Sequence, residues 1–254
     1  MRKTTLVLVL ALASLVGASQ MVAQSKTSFI LKTRMSLGGK QVKFSRKRFY
    51  LFRGDAAANK ALVDRIKAAA YTSRDCFYCA QKASPEYMAW LRAGDCESPY
   101  CREITADDVT KVKEFSDAYK KGLVTFKNKP DVARTWVTTN MPAALRDGYY
   151  LQKKKAVDAI LGDAKPLATV MTDATSQQAT FIDIPLAKDT EKFLISNLLP
   201  FEVNGKSYLW VCEVEMKTAP NTLILPASDS TKRVKTCDVI VNDLPKCDAG
   251  GCKP

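Results

Sequence analysis

Eight cysteines and no histidine in 254 residues set the chemistry open to this chain. Without imidazole there is no Ser-His-Asp or Cys-His nucleophile, no H-E-x-x-H metal site and no His-ligated haem or copper. Cys76 and Cys79 form a C-x-x-C motif with Cys96 and Cys101 close behind, and Cys212, Cys237, Cys247 and Cys252 make a second group far downstream. Three chemistries compete for the first group. Four thiolates would make a structural zinc site. A reversible Cys76/Cys79 pair would serve thiol–disulfide exchange, which wants a strand before the motif and a helix starting at the first cysteine. Here an Ala-rich helical segment and the polar turn Thr72-Ser73-Arg74-Asp75 precede it instead. Structural disulfides are the third use, and an even count in an exported chain favours them, so no metal and no cofactor are expected.

Should pairing stay within each group of four, three arrangements in each would leave nine in all. The loops Cys96–Cys101 and Cys247–Cys252 are equal in length, bent by Pro or Gly, and each could close on itself. For the first group, Cys76–Cys101 with Cys79–Cys96 is an equal alternative. In the second, Tyr208, Trp210, Cys212, Val214 and Met216 alternate along one extended run, and Cys237, Val239 and Val241 along another. Both cysteines then face a core, which favours joining Cys212 to Cys237.

The compartment follows from the first residues. Arg2 and Lys3, an apolar run from Leu6 to Val16 and the small residues Gly17, Ala18 and Ser19 describe a secretory signal peptide over residues 1–23, cleaved after Ala18 or Ala23. It is too short to span a bilayer, and no later segment reaches the roughly 18–20 apolar residues that spanning requires. A secreted or periplasmic protein is therefore expected, with no transmembrane segment in the mature chain and no access to intracellular nucleic acid. The 39 Lys and Arg against 26 Asp and Glu, a net charge of +13, would draw it to anionic polysaccharides or envelope polymers.

The densest basic and aromatic stretch is Lys40–Arg53. Lys43, Arg46, Lys47, Arg48 and Arg53 are the candidates there for holding phosphate, sulfate or uronate groups, with Phe49 or Tyr50 stacking on a ring. The competing expectation for a strand is that the aromatics face the core and the cations face solvent. Lys153-Lys154-Lys155 reads as a solvated helix face, and Trp90, Trp136 and Trp210 as core anchors. Asp173 and Asp183 flank a turn and could meet across a hairpin as a glycoside-cleaving pair. A turn aspartate bonding its own backbone explains Asp173 more simply, and no catalytic residue is assigned.

Three blocks must position these residues. From Thr27 to Phe52 the pattern is extended, with Phe29, Leu31, Thr33 and Met35 alternating and a turn at Gly38-Gly39. Between Asp55 and Lys165 the period becomes helical. Asp55 caps a first helix bearing Leu62, Val63, Ile66 and Ala70, and Ser84-Pro85-Glu86 opens a second. Thr105–Asp108 starts a third that Gly122 ends, and a fourth runs from Pro142 to Leu161 with Gly162 as its stop. After Pro166 the extended pattern returns, with Asn204-Gly205 as a hairpin signal. The expected class is α+β: a β-domain over 24–54 and 166–254, split by a helical, disulfide-stapled insertion over 55–165.

The β-part resembles the carboxypeptidase regulatory-like (prealbumin-like) modules of exported bacterial proteins. The resemblance is carried by Gly39-Lys40-Gln41-Val42 ahead of Phe49-Tyr50-Leu51, then Thr172-Asp173-Ala174, Phe181-Ile182-Asp183-Ile184-Pro185 and Phe193-Leu194-Ile195. Gln177-Gln178 stands where the family has a glycine after its Thr-Asp turn. The resemblance implies an antiparallel β-sandwich used for adhesion, carbohydrate contact or as a spacer, with no shared catalytic residues. The expected function is a non-catalytic structural or binding protein of the cell envelope or extracellular space. The alternatives are an oxidoreductase using Cys76 and Cys79, or a self-associating fibre subunit whose strand near Thr27–Met35 adds to a neighbour's sheet.

Overall fold

The computed structural model describes residues 25–37, 40–175, 178–203, 205–217, 221–226, 237–244 and 247. The expected leader, the Gly38-Gly39 turn, Gln177, Asn204 and Cys252 lie outside the described residues. Ser25–Leu37 (β1), Lys40–Lys43 (β2) and Arg48–Arg53 (β3) come first. The helices follow as Lys60–Ala68 (α1), Arg74–Ala80 (α2), Pro85–Ala93 (α3), Ala106–Lys111 (α4), Lys113–Thr125 (α5), Pro130–Thr135 (α6), Val137–Asn140 (α7), Ala143–Arg146 (α8) and Gly148–Leu161 (α9). The remaining strands are Ala168–Met171 (β4), Gln178–Leu186 (β5), Thr190–Ser196 (β6), Phe201–Val203 (β7), Lys206–Lys217 (β8), Asn221–Pro226 (β9) and Cys237–Asp243 (β10). The class is α+β, in the strand–helix–strand order that the change of period predicts. No helix among the described residues is long and apolar enough to cross a membrane.

The strands form two sheets. In the smaller, β1 pairs antiparallel with β2 and β5 and parallel with β9. The larger is antiparallel in the order β10-β8-β6-β3-β4, with β7 also on β8. Phe29, Ile30, Leu31 and Lys32 each have a partner on both sides, in β5 and in β9. Over Phe29–Lys32, β1 is thus an interior strand of its sheet.

Strand periodicity explains the layering. Phe29, Leu31 and Phe181 of the smaller sheet share one core with Phe49, Leu51, Phe193, Ile195, Tyr208 and Trp210 of the larger. Tyr50, Phe52, Leu194, Leu209 and Val211, the alternate residues of the same strands, point the other way. They pack on Leu62, Val63 and Ile66 of α1 and Ile160 of α9. The larger sheet is therefore a middle layer, and Phe49 and Tyr50 are both buried, on opposite faces. That removes them as exposed stacking platforms.

The remaining helices gather around Tyr78, Tyr87, Trp90, Phe115, Val137 and Tyr149. Local caps start them: the Ser73 hydroxyl accepts from the Cys76 amide, the Ser84 hydroxyl from the Tyr87 amide, and Thr105 with Asp108 forms a capping box. Several expected boundaries move. Asp55 accepts from the Ala58 amide, a turn before α1, whose N-cap is Asn59, and Ala70 falls beyond the helix. The helix opened by Thr105 breaks at Val112, which is extended at φ −106° and ψ 117°. Gly122 does not end α5; it is buried inside it, where a Cβ would sit 3.2 Å from the Ala133 backbone, so glycine lets α6 approach. Asp147 divides the last expected helix into α8 and α9, and Gly162, at φ +52°, ends it as expected.

The disulfides correct the pairing scheme. Cys212–Cys237 forms as expected, between residues directly opposite in the β8–β10 register, and Cys96–Cys101 closes locally. Cys76, however, is joined to Cys247 across the two groups, and Cys79 is also disulfide-bonded. The fold brings the α2 helix beside the chain that leaves β10, a proximity that sequence spacing does not encode. Cys76 and Cys79 are not bonded to each other, contrary to the exchange reading. With Cys76, Cys96 and Cys101 oxidised, the first group offers no thiolate set for zinc.

Candidate functional site

The five cations proposed from the sequence do not converge. Lys43 lies on β2, opposite Arg34. Arg46 is exposed in the turn before β3 and its Nη1 donates to the Cys101 carbonyl at 2.8 Å. Lys47 is buried, with Nζ 3.6 Å from the Asp95 carboxylate and over the Phe201 ring at 5.7 Å. Arg48 is exposed at the start of β3. Arg53, at the far end, is paired with Glu191 and donates to the Pro185 carbonyl at 2.7 Å. A strand of this length holds its two ends roughly 17 Å apart. The basic stretch is dense in sequence and dispersed in space.

The other flagged residues are spoken for. The Asp173 carboxylate accepts from the Thr175 amide at 2.7 Å, as a turn aspartate does, and Asp183 sits at φ +56° in β5 with its amide donating to the Ser28 hydroxyl. Trp90 and Trp210 are buried, but Trp136, expected in the core, is 45% exposed. It stands at the junction of two short helices, where α6 ends and α7 begins, and its ring lies at the rim.

One carboxylate, Glu202, anchors the helices to the larger sheet, and a second, Glu97, ties the loop after α3 to α9. The Glu202 Oε1 on β7 accepts from the Tyr71 hydroxyl, the Arg74 amide at 2.6 Å and the Tyr149 hydroxyl at 3.2 Å. Burial, with the Glu202 charge beside them, pushes both phenols far up, so they remain donors. Glu97 receives Lys153 Nζ at 2.7 Å. Burial pushes its carboxyl up, but Lys153, Lys47 and Arg74 together outweigh that and hold it below the ordinary value. A carboxyl held low stabilises the fold at neutral pH and loses that contribution as pH falls through its folded value. Glu97→Gln is therefore expected to flatten the fall in melting temperature between neutral pH and about pH 4, measured by thermal melts.

A different group of residues does converge. On α5, Lys113, Asp117, Lys120, Lys121 and Val124 recur at the spacing of one helical face, opposite the buried Phe115, Ala118 and Gly122. Lys113, Asp117, Lys120 and Lys121 of that face, with Glu114 and Ala118 beside them, line a cleft of about 460 Å³ together with Lys82 after α2 and Asn140, Pro142 and Leu145 across α7 and α8. Its acids are engaged. Glu114 accepts from the Ser84 amide and hydroxyl at 2.6 Å each, and Asp117 holds Lys113 at 2.6 Å. The Lys113 hydrogen bond, opposed by slight desolvation and joined by the charges of Lys113, Lys120 and Lys121, keeps the Asp117 carboxyl below its usual range.

Lys82, Lys120 and Lys121 have no carboxylate within ion-pair distance among the described residues. The Asn140 side-chain Nδ2 is buried with no hydrogen-bond partner. A buried donor without an acceptor costs about 1–3 kcal/mol. Neither a protein-family model, nor a curated protein, nor a solved structure matches this chain. The site has to be argued from its own chemistry.

Four lysines around one open cleft, with its two carboxylates engaged, suit a multiply charged oxyanion. Sequence reasoning passed over Lys82, Lys120 and Asn140 because a charged helix face ordinarily signals solvation. The available signal was the i, i+4, i+7, i+8 recurrence of Lys113, Asp117, Lys120 and Lys121.

Proposed function

We propose that this chain is an exported, non-catalytic binding protein that holds an anionic polymer of the cell envelope or extracellular space in the α5 cleft. The single observation behind this reading is the set of lysines, Lys82, Lys120 and Lys121, that line that cleft without a carboxylate at ion-pair distance among the described residues. Export is supported by the charged and apolar leader in residues 1–23 and by the disulfide-bonded cysteines, which persist outside reducing compartments. The β-part, over 24–54 and 166–254, is proposed as a prealbumin-like sandwich carrying residues 55–165 as an insertion. Two sheets sharing one core support that assignment.

The test is binding of polyphosphate by the full chain, followed by calorimetry over a salt series. Affinity should fall steeply with salt. Near an anionic surface each lysine contributes about 1 kcal/mol, so Lys120→Ala/Lys121→Ala should weaken binding about thirtyfold at low salt. Arg46→Ala/Arg48→Ala should leave it nearly unchanged. Salt-independent binding, or equal losses from both double variants, would dispose of the cleft.

A further inference from the structure

We propose that the bound polymer is an acidic polysaccharide, one of whose sugar rings stacks on Trp136 while its sulfate or carboxylate groups enter the cleft; this rests on the cleft binding an anionic polymer. Trp136 and Asn140 are one helical turn apart, joined by the Asn140 amide to Trp136 carbonyl bond at 3.1 Å. At that spacing their side chains share a side of the helix. The indole is therefore about 6 Å along the axis from the lining of the cleft.

The indole is held from behind. Its ring centroid lies 5.6 Å from that of Phe126, at 39° between planes. Phe126 is brought there by a turn in which Lys127, at φ +50°, and Asn128, at φ +59°, are both left-handed. Lys127 carries there the steric penalty that glycine would avoid, and Asn128, whose short polar side chain tolerates the region, carries less. The Asn128 amide to Leu123 carbonyl bond at 2.8 Å helps hold them. Strain of this kind persists where the surroundings over-determine it. Here it holds the Phe126 ring against Trp136.

The combination is selective in kind. A pyranose offers an apolar C–H face to an aromatic ring, and an acidic sugar adds an anionic group for lysine. Polyphosphate supplies charge with no such face. Trp90 and Trp210 are buried, so a ligand that covers an exposed indole reports on Trp136 alone.

The experiment compares a heparin-derived oligosaccharide with polyphosphate of matched charge, using the full chain. Trp136→Ala should weaken the oligosaccharide about tenfold and leave polyphosphate within about twofold. Trp136→Phe should restore most of the loss. Tryptophan emission of the parent protein should shift to the blue with the oligosaccharide and stay in place with polyphosphate. Equal losses for both probes, or an oligosaccharide affinity unmoved by Trp136→Ala, would overturn the stacking proposal while leaving the cleft standing. Failure of both probes to bind the parent protein would remove the cleft and the platform together.

Discussion

Removing the Cys76–Cys247 bridge together with the bond at Cys79, by replacing Cys76, Cys79, Cys247 and Cys252 with serine, should cost about 5 kcal/mol of folding stability, on the chain-entropy account of cross-linking. The bridge spans 171 residues, so the unfolded chain without it regains the freedom of a very long loop. Removing Cys96 and Cys101, which lie 5 residues apart, should cost only about 2 kcal/mol on the same account. Native domains are typically stable by about 5–15 kcal/mol, so the first loss can exhaust the margin while the second cannot. Urea unfolding of the two variants under non-reducing conditions, followed by circular dichroism, separates them. Equal shifts would mean that local packing and not loop length governs what the bridges contribute.

Trp210→Ala should cost about 3–5 kcal/mol, the range for emptying a large aromatic site in a core. Trp210 is fully enclosed between the two sheets. Its ring contacts Phe44 at 5.0 Å, Phe201 at 5.6 Å, Phe49 at 6.0 Å and Tyr208 at 6.1 Å between centroids. Four rings from four parts of the chain lose a shared neighbour at once. Trp210→Phe should cost far less, because the indole Nε1 is itself buried without a partner and its removal relieves an unmet donor. The midpoints of denaturation for the two variants, beside near-ultraviolet circular dichroism, check both halves. Equal destabilisation by Ala and Phe would show that volume alone does not explain this site.

Legibility followed the reach of each signal. The stripe Tyr208, Trp210, Cys212, Val214 and Met216 was plain, because alternation is local and one face of β8 meets the core. The Cys212–Cys237 bond came with it. Cys76–Cys247 was out of reach, since it depends on where α2 lies against the end of β10 and no local pattern carries that. Phe49 to Phe52 is a continuous apolar run because helices cover the far face of the larger sheet. The breaks at Val112 and Asp147 were hidden, as neither residue is a strong helix breaker and tertiary contacts decide the kink. The cations of the basic stretch are dispersed for a simple reason. Proximity along a strand spreads cations over both ends, whereas spacing by helical turns gathers them.

The tie between α2 and the chain beyond β10 has a further consequence for life among proteases. A cut in the backbone anywhere between Cys76 and Cys247 severs the polypeptide but does not release either fragment. The pieces stay tethered, each facing the other at an effective concentration that free diffusion would not supply. A nicked molecule can therefore keep its helices seated on its sheets, and the exposed turn at Lys127 and Asn128 becomes a place where damage need not mean loss.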